Sequence, residues 1–235
     1  MDKRVASAAA AVADIADGSS IMIGGFGEAG SPVELLHALI DQGAKDLTVI
    51  SNNTGSGEVG LAALLKARRV RKVVCSFPKS ANSTVFPDLY REGFTELELV
   101  PQGTLAERIR AGGAGVHAFY TPTAVGTPLA EGKESRVFDD REFVLEYGLR
   151  ADVALIKGRA ADTHGNVVYN KTARNFAPPM AMAAATTIVQ VQETCEPGGL
   201  DPETVVTPGI FVDRVVAVAE PAHESALVAA GASYP

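Results

Sequence analysis

The chain has 235 residues, of which 46% are hydrophobic, and its formal net charge is −7 with a pI of about 5.2. This length and apolar content predict one core-forming domain. Nucleic-acid binding needs clustered Lys and Arg to neutralise phosphates, so the acidic balance argues against that class. No apolar run approaches the roughly 20 residues of a membrane span, so we expect no contact with a membrane.

Cysteine and histidine are too few and too scattered to form a metal site or a disulfide framework. Cys75 and Cys195 lie far apart, and the four histidines share no ligand spacing. Two thiols in a core-forming chain are typical of a reducing compartment. The sequence therefore predicts reduced cysteines, no bound metal and a cytoplasmic location.

The predicted elements alternate between short apolar strands and helices. A first amphipathic helix is indicated by Val5, Ala8, Val12 and Ile15, which share one helical face. This alternation predicts an α/β fold with an open, mainly parallel sheet and helices on both faces. In chain order, the predicted strands are 21–23, 47–50, 73–75, 97–100, 153–156, 167–169, 187–191 and 215–218.

Two of the helices are predicted to begin with a capping box. Ser31 precedes Pro32, and Glu34 follows three residues after Ser31, which is the required spacing. Thr104 and Glu107 repeat this spacing before a later helix. We expect both hydroxyl groups to accept a hydrogen bond from the first helical turn.

The remaining segments predict peripheral structure. Residues 135–147 alternate in polarity and carry many charges, which indicates a peripheral β-hairpin. Residues 163–166 are typical of a hairpin turn between the strands at 153–156 and 167–169. The alanine-rich end predicts a flexible tail at 221–235, which leaves one domain at 1–220.

A glycine loop follows the first predicted strand and opens the next helix. Gly25 to Gly30 match the pattern G-x-G-x-x-G, in which backbone approaches a ligand closely and free N–H groups face anionic oxygens. A nicotinamide enzyme also needs an acidic side chain at the end of the second strand. The sequence has Asn52 and Asn53 there, so a dinucleotide enzyme is disfavoured. Glycines that serve only a tight turn are the structural alternative.

Three predicted strand ends carry small or amide groups that suit one binding cleft. Ligands of open α/β sheets bind outside the carboxyl ends of the strands. Amide and backbone N–H groups suit a thioester carbonyl or an oxyanion. Glu28 and Glu58 are the nearest carboxylates, and we expect both to be solvated, so the cleft lacks a nucleophile. The candidate site residues are Gly24, Gly25, Phe26, Gly27, Glu28, Ala29, Gly30, Asn52, Asn53 and Gln102.

A basic run at 66–72 has two interpretations. Cations at the carboxyl end of a helix are favourable and often solvated. The run could instead bind the phosphates of coenzyme A or an acidic surface of a partner.

Several motifs resemble the family I CoA-transferases. The segment from Asp17 to Phe26, then three residues, then Gly30-Ser31-Pro32, is similar to the first signature of that family at every position. The resemblance covers the chain to about Val218. It continues through residues 51–53, 75–78, 101–108, 129–134, 173–176 and 207–212.

The resemblance implies a half-enzyme, the A subunit of a CoA-transferase. In that family a B-subunit glutamate in a Ser-Glu-Asn-Gly motif attacks an acyl-CoA thioester and forms covalent intermediates. This sequence contains no Ser-Glu-Asn-Gly. The family implies that the glycine loop binds the CoA ester and that Gln102 positions substrate or stabilises the oxyanion. It also implies a B subunit partner, in an A2B2 assembly, and no tightly bound cofactor.

The substrates implied by the resemblance are succinyl-CoA and a 3-oxoacid, with 3-oxoadipate expected and acetoacetate as the alternative. Family members usually read Pro-Thr-Gly-Tyr-Gly-Thr where this chain has Ala124 and Val125 at the third and fourth positions. This departure affects the acceptor rather than the reaction class. A non-catalytic sensor of acyl-CoA or sugar phosphate on the same fold is the alternative of another class, although no DNA-binding segment is visible.

Overall fold

The structure, a computed structural model, describes residues 1–80 and 82–235. Its central feature is a sheet of seven parallel strands in the order β13-β11-β8-β1-β2-β3-β4. The strands are β1 (Ser20–Ile23), β2 (Leu47–Ile50), β3 (Val70–Cys75), β4 (Glu96–Leu99), β5 (Ala118–Thr121), β6 (Ser135–Phe138), β7 (Arg141–Tyr147), β8 (Ala151–Lys157), β9 (Ala160–Asp162), β10 (Val167–Val168), β11 (Ala184–Val191), β12 (Glu193–Cys195) and β13 (Arg214–Ala217). This sheet confirms the predicted fold class.

Helices cover both faces of the sheet and create two apolar cores. Alternate residues of a strand point to opposite faces, so Ile21 and Ile23 enter one core while Met22 enters the other. Leu36 of α2 packs in the first core, and Ile109 of α5 packs in the second. The helices are α1 (Ala8–Val12), α2 (Val33–Gln42), α3 (Gly60–Lys66), α4 (Val85–Arg91), α5 (Gln102–Gly113), α6 (Ala177–Ala183) and α7 (Glu224–Ala229).

The strand order reverses at β1. From β1 the chain adds β2, β3 and β4 on one side, whereas β8, β11 and β13 follow on the other side. The loops that leave the carboxyl ends of β1 and β8 therefore diverge from a common point. Such a switch point is where open parallel sheets form crevices.

Two small sheets flank the large one. The predicted hairpin at 135–147 is confirmed as β6 and β7, which are joined by Asp139 and Asp140 in left-handed backbone. The prediction for the second hairpin was wrong in its first strand. The turn at 163–166 joins β9 to β10, because residues 153–156 belong to β8 at the centre of the parallel sheet.

Neither predicted capping box forms. The hydroxyl of Ser31 donates to Oε1 of Glu224 at 2.6 Å, and the Leu35 N–H bonds to the side chain of Gln190. The helix α5 begins at Gln102, so Thr104 lies inside its first turn instead of capping it. Within the described residues, the buried Thr104 Oγ1 has no hydrogen-bond partner.

Residues 221–235 differ from the expected loose tail, because they form α7 and pack on the domain. Glu224 is 4% exposed and bonded to Ser31. The ring of Tyr234 stacks on His37 with centroids 3.7 Å apart, and its hydroxyl donates to Asp41 at 2.7 Å. Alanine-rich composition concealed these contacts, which a few polar and aromatic side chains make. Among residues 1–80 and 82–235, no helix has the length and apolarity that crossing a bilayer requires.

Candidate functional site

The carboxyl ends of β1, β2, β3 and β4 lie side by side and open into one cleft of about 570 Å³. We call it the amide cleft. It brings the first half of the glycine loop together with the candidate residues that follow β2 and β4. Its lining consists of Phe26, Gly27, Asn52, Asn53, Gly55, Ser56, Ser76, Phe77, Lys79, Ser80 and Gln102.

A hydrogen-bonded network organises the floor of the amide cleft around Asn52. The Asn52 side chain is 4% exposed, and its Oδ1 accepts from Nε2 of Gln102 at 2.8 Å and from Oγ of Ser76 at 2.9 Å. Both bonds occupy the acceptor end of the amide. The NH2 end of Asn52 is consequently the donor that remains for a ligand.

The two other predicted amides have different surroundings. Oδ1 of Asn53 accepts the Gly55 N–H at 2.8 Å, so its carbonyl end stabilises the turn after β2. Gln102 is exposed at the first position of α5, directly after Pro101. Its amide can therefore reach into the cleft while its backbone starts the helix.

The glycine loop divides into two halves that face different surroundings. Gly25 and Gly27 have φ angles of 136° and 59°, values that glycine adopts without strain. A Cβ at Gly27 would have no atom within 4 Å, so this position is open toward the cleft. Phe26, 53% exposed, and Phe77, 61% exposed, form an aromatic rim. Glu28, Ala29 and Gly30 do not line the amide cleft and face a second cleft on the other side of the loop.

Asn175 anchors the loop from behind. Its Oδ1 accepts from the Gly25 N–H at 3.2 Å, and its Nδ2 donates to the Ala29 carbonyl at 2.7 Å. Its own backbone is left-handed, with a φ of 21°. No role was predicted for Asn175, although the resemblance includes residues 173–176. A polar residue within a shared motif and directly before a helix was the available signal.

The C-terminal segment provides a second anchor. The Ser225 N–H donates to Oε2 of Glu28 at 2.6 Å and lowers the pKa of that carboxyl group. Burial raises the pKa of Glu224, which receives the Ser31 hydroxyl bond just after the loop. The loop is therefore fixed at its second half, while its first half stays available.

Potential nucleophiles are kept away from the amide cleft. Among the described residues that line it, none carries a carboxylate. Glu28 is bound to Ser225, and Glu58 forms an ion pair with Lys66 at 2.6 Å. Burial raises the pKa of the Cys75 thiol to about 12, so it stays protonated near neutral pH.

The basic run at 66–72 is mostly neutralised by the chain itself. Arg68 pairs with Glu92 at 2.5 Å, and Lys72 pairs with Glu98 at 2.6 Å. Arg69 donates to the Gly43 carbonyl at 3.0 Å. These partners support the structural interpretation of the run over a binding site.

The departure at 124–125 keeps the backbone of a glycine. Ala124 has a φ of 73° in the turn after β5. Alanine in this region is strained by its Cβ, which a glycine would avoid. The turn therefore has a glycine-like shape although its side chain departs from the family pattern.

Comparison with known proteins identifies the family. The family described as Coenzyme A transferase matches residues 5–218. The 3-oxoadipate CoA-transferase A subunit from Pseudomonas putida is 60% identical over 96% of this chain and 97% of its own length. The succinyl-CoA:3-ketoacid coenzyme A transferase A subunit from Xanthomonas campestris pv. campestris is 52% identical over 93% of this chain and 90% of its own length. An acyl-CoA transferase structure from Escherichia coli O157:H7 superposes with a TM-score of 0.82 at 23% identity, over 95% of this chain and 50% of that chain, so this chain spans half its length. The chain belongs to the Coenzyme A transferase family.

Proposed function

We propose that this chain is the A subunit of a CoA-transferase that moves CoA from succinyl-CoA to 3-oxoadipate. The observation that carries the proposal is the 60% identity, over nearly the whole of both chains, to a relative named for that enzyme. The amide cleft supports it, because clustered amide donors suit a thioester carbonyl.

In this mechanism the chain contributes binding and polarisation. The NH2 end of Asn52 and the side chain of Gln102 donate hydrogen bonds to the thioester oxygen or to the substrate carboxylate. The thioester carbon is attacked by a carboxylate of the B subunit. The C–S bond then breaks, its electron pair leaves with the CoA thiolate, and an acyl anhydride forms. CoA is a substrate here, and no tightly bound cofactor is proposed.

The nucleophile is proposed to come from the partner because none is suitably placed here. The sequence lacks Ser-Glu-Asn-Gly, and the described lining of the amide cleft has no carboxylate. The relatives are named as one of two kinds of subunit, which supports an A2B2 assembly with a B subunit.

The test is reconstitution. The purified chain should show no transfer of CoA from succinyl-CoA to 3-oxoadipate, and addition of the B subunit should restore it. Robust turnover by the isolated chain would contradict the half-enzyme proposal. An assembled complex that binds acyl-CoA but transfers nothing would favour the sensor instead.

Acetoacetate is the second candidate acceptor. The Xanthomonas relative, at 52% identity, is named for a 3-ketoacid. Direct competition between 3-oxoadipate and acetoacetate in the assembled complex distinguishes the two, since the preferred acceptor has the higher kcat/KM. We propose 3-oxoadipate because Lys79, at the amide cleft, suits an acceptor with a second carboxylate.

A further inference from the structure

A second cleft, of about 330 Å³, lies on the other side of the glycine loop, at the switch point of the sheet. Glu28, Ala29 and Gly30 form one wall. The loops after β8 and β11 and the turn that begins at Lys171 form the rest. We call it the cationic cleft.

The charges of the cationic cleft oppose those of the whole chain. Lys157, Arg159 and Lys171 line it in a protein whose net charge is −7. Arg159 is 3.6 Å from Glu193, so its charge is partly matched. Within the described residues, Lys157 and Lys171 form no ion pair.

The single carboxylate in the lining does not neutralise these lysines fully. Glu28 already receives the Ser225 N–H at 2.6 Å. After that bond and the Ser225 hydroxyl, the charges of His223 and Lys157 lower the pKa of Glu28 further. The cleft therefore combines several cations with one hydrogen-bonded anion, an arrangement that favours an anionic ligand.

The wall at Lys171 is built at a cost in backbone strain. Lys171 has a φ of 51°, and Asn175, four residues later, has a φ of 21°. A Cβ at Gly30 would overlap the Ala173 carbonyl oxygen, so this turn is packed tightly on the glycine loop. Two strained non-glycine residues beside one cleft indicate that its shape is maintained for a purpose.

We propose that the cationic cleft binds the phosphate groups of the CoA ester whose acyl end lies in the amide cleft. The inference rests on the proposed function. One loop separates the clefts, with Phe26 and Gly27 on one side and Glu28 to Gly30 on the other. The pantetheine arm crosses the loop, and Lys157 and Lys171 contact the phosphates as point charges. This continuity favours the phosphates of the substrate over an acidic side chain of the partner.

The kinetic test uses the assembled complex and the double variant Lys157→Gln/Lys171→Gln. Hydrogen bonds to charged groups are worth roughly 1.5–3 kcal/mol, so KM for succinyl-CoA should rise about tenfold or more with kcat nearly unchanged. The kinetics with succinyl-pantetheine, which lacks the nucleotide, should not change. The control is Lys45→Gln, an exposed lysine before β2 at the opposite edge of the sheet, and it should resemble wild type. An unchanged KM for succinyl-CoA, or an equal loss with both thioesters, would overturn the proposal.

A binding test on the full chain separates this inference from the proposed function. Adenosine 3′,5′-bisphosphate should bind to the wild-type chain and to Lys45→Gln, and the double variant should bind it about tenfold more weakly or worse. Inorganic phosphate should compete only weakly, since it lacks the nucleotide. If inorganic phosphate binds as well as the nucleotide, or the double variant loses only the B subunit, the CoA assignment is wrong. Nucleotide binding without any transferase activity would instead retain the site and remove the proposed function.

Discussion

The two halves of the glycine loop have the same composition but opposite environments. Gly25 to Gly27 are open toward the amide cleft, and a Cβ at Gly27 would have no neighbour within 4 Å. Glu28 to Gly30 are bound by Asn175, by Ser225 and by the close approach of Ala173. A repeated glycine pattern can therefore combine two requirements, one for ligand access and one for tight packing. Substitutions at the open half and its cleft should reduce activity, whereas substitutions at the anchored half should reduce stability.

The largest effect is expected at Gln102, on the open side. Gln102→Ala removes the amide that bonds to Asn52 and faces the cleft. If this amide stabilises transition-state charge, kcat/KM should fall about 10²–10³-fold, or roughly 3–4 kcal/mol. Steady-state kinetics of the assembled complex measure this loss.

Stability measurements distinguish that role from a structural one. Gln102 is exposed, so Gln102→Ala should leave the melting temperature of the complex nearly unchanged. Gln102→Glu should be at least as damaging to activity, because it places a negative charge beside an anionic substrate. A parallel loss of rate and melting temperature would assign Gln102 to structure, and wild-type rates would remove it from the site.

A matched pair of glycine variants tests the anchored half directly. Gly27 and Gly30 both have positive φ angles, of 59° and 84°, but only Gly30 lies against backbone. Gly27→Ala should cost about 1 kcal/mol through φ alone. Gly30→Ala should cost about 3 kcal/mol, because its Cβ also forces the Ala173 carbonyl away.

Denaturant unfolding of the two variants checks this difference. Equal losses of free energy would show that the close approach at Ala173 carries no cost. Gly27→Val should retain most of the stability but weaken acyl-CoA binding, since its side chain projects into open space. Unchanged affinity in Gly27→Val would make the open half purely structural.

The sequence predicts the parallel sheet well because alternation and strand ends are local signals. The strand Leu47–Ile50 matches its prediction to the residue, and the ends at Asn52 and Gln102 converge as expected. The anchors could not be predicted, since they join residues far apart in the chain. Asn175 meets Gly25 across 150 positions, and Glu224 meets Ser31 across 193. Ser31 had two possible partners, and the long-range carboxylate replaced the local cap.

A smaller effect on the open side concerns selectivity for the acceptor. Lys79 is the lysine that lines the amide cleft and is exposed. The second carboxylate of 3-oxoadipate can interact with this cation, whereas acetoacetate has only one carboxylate. Lys79→Met should raise KM for 3-oxoadipate about fivefold, the size expected for an exposed ion pair, and change KM for acetoacetate less.

Competition assays with both acceptors measure this selectivity. Lys45→Met is the matched control, because it removes the same charge from the opposite edge of the sheet. An equal change for both acceptors would show that Lys79 does not read the second carboxylate.

The smallest effect is a pH dependence at the second anchor. Burial raises the pKa of Glu224 above its ordinary value of 4.5, and nearby Glu28 adds to this, whereas the Ser31 bond and Lys157 oppose it. A carboxyl group with a raised pKa binds its proton more tightly in the folded protein. Its contribution to stability is full below the ordinary pKa and is lost as the pH rises through the raised one. Glu224→Gln keeps an acceptor for Ser31 without a charge, so its gain in melting temperature over wild type should be near zero at low pH and should grow as the pH rises above about 4.5. Glu58→Gln is the opposite control, because bonds from Lys66 and Ser233 lower the pKa of Glu58. That variant should lose stability over wild type as the pH rises. A gain for Glu224→Gln that is constant with pH would show that this carboxyl group does not ionise in the folded chain.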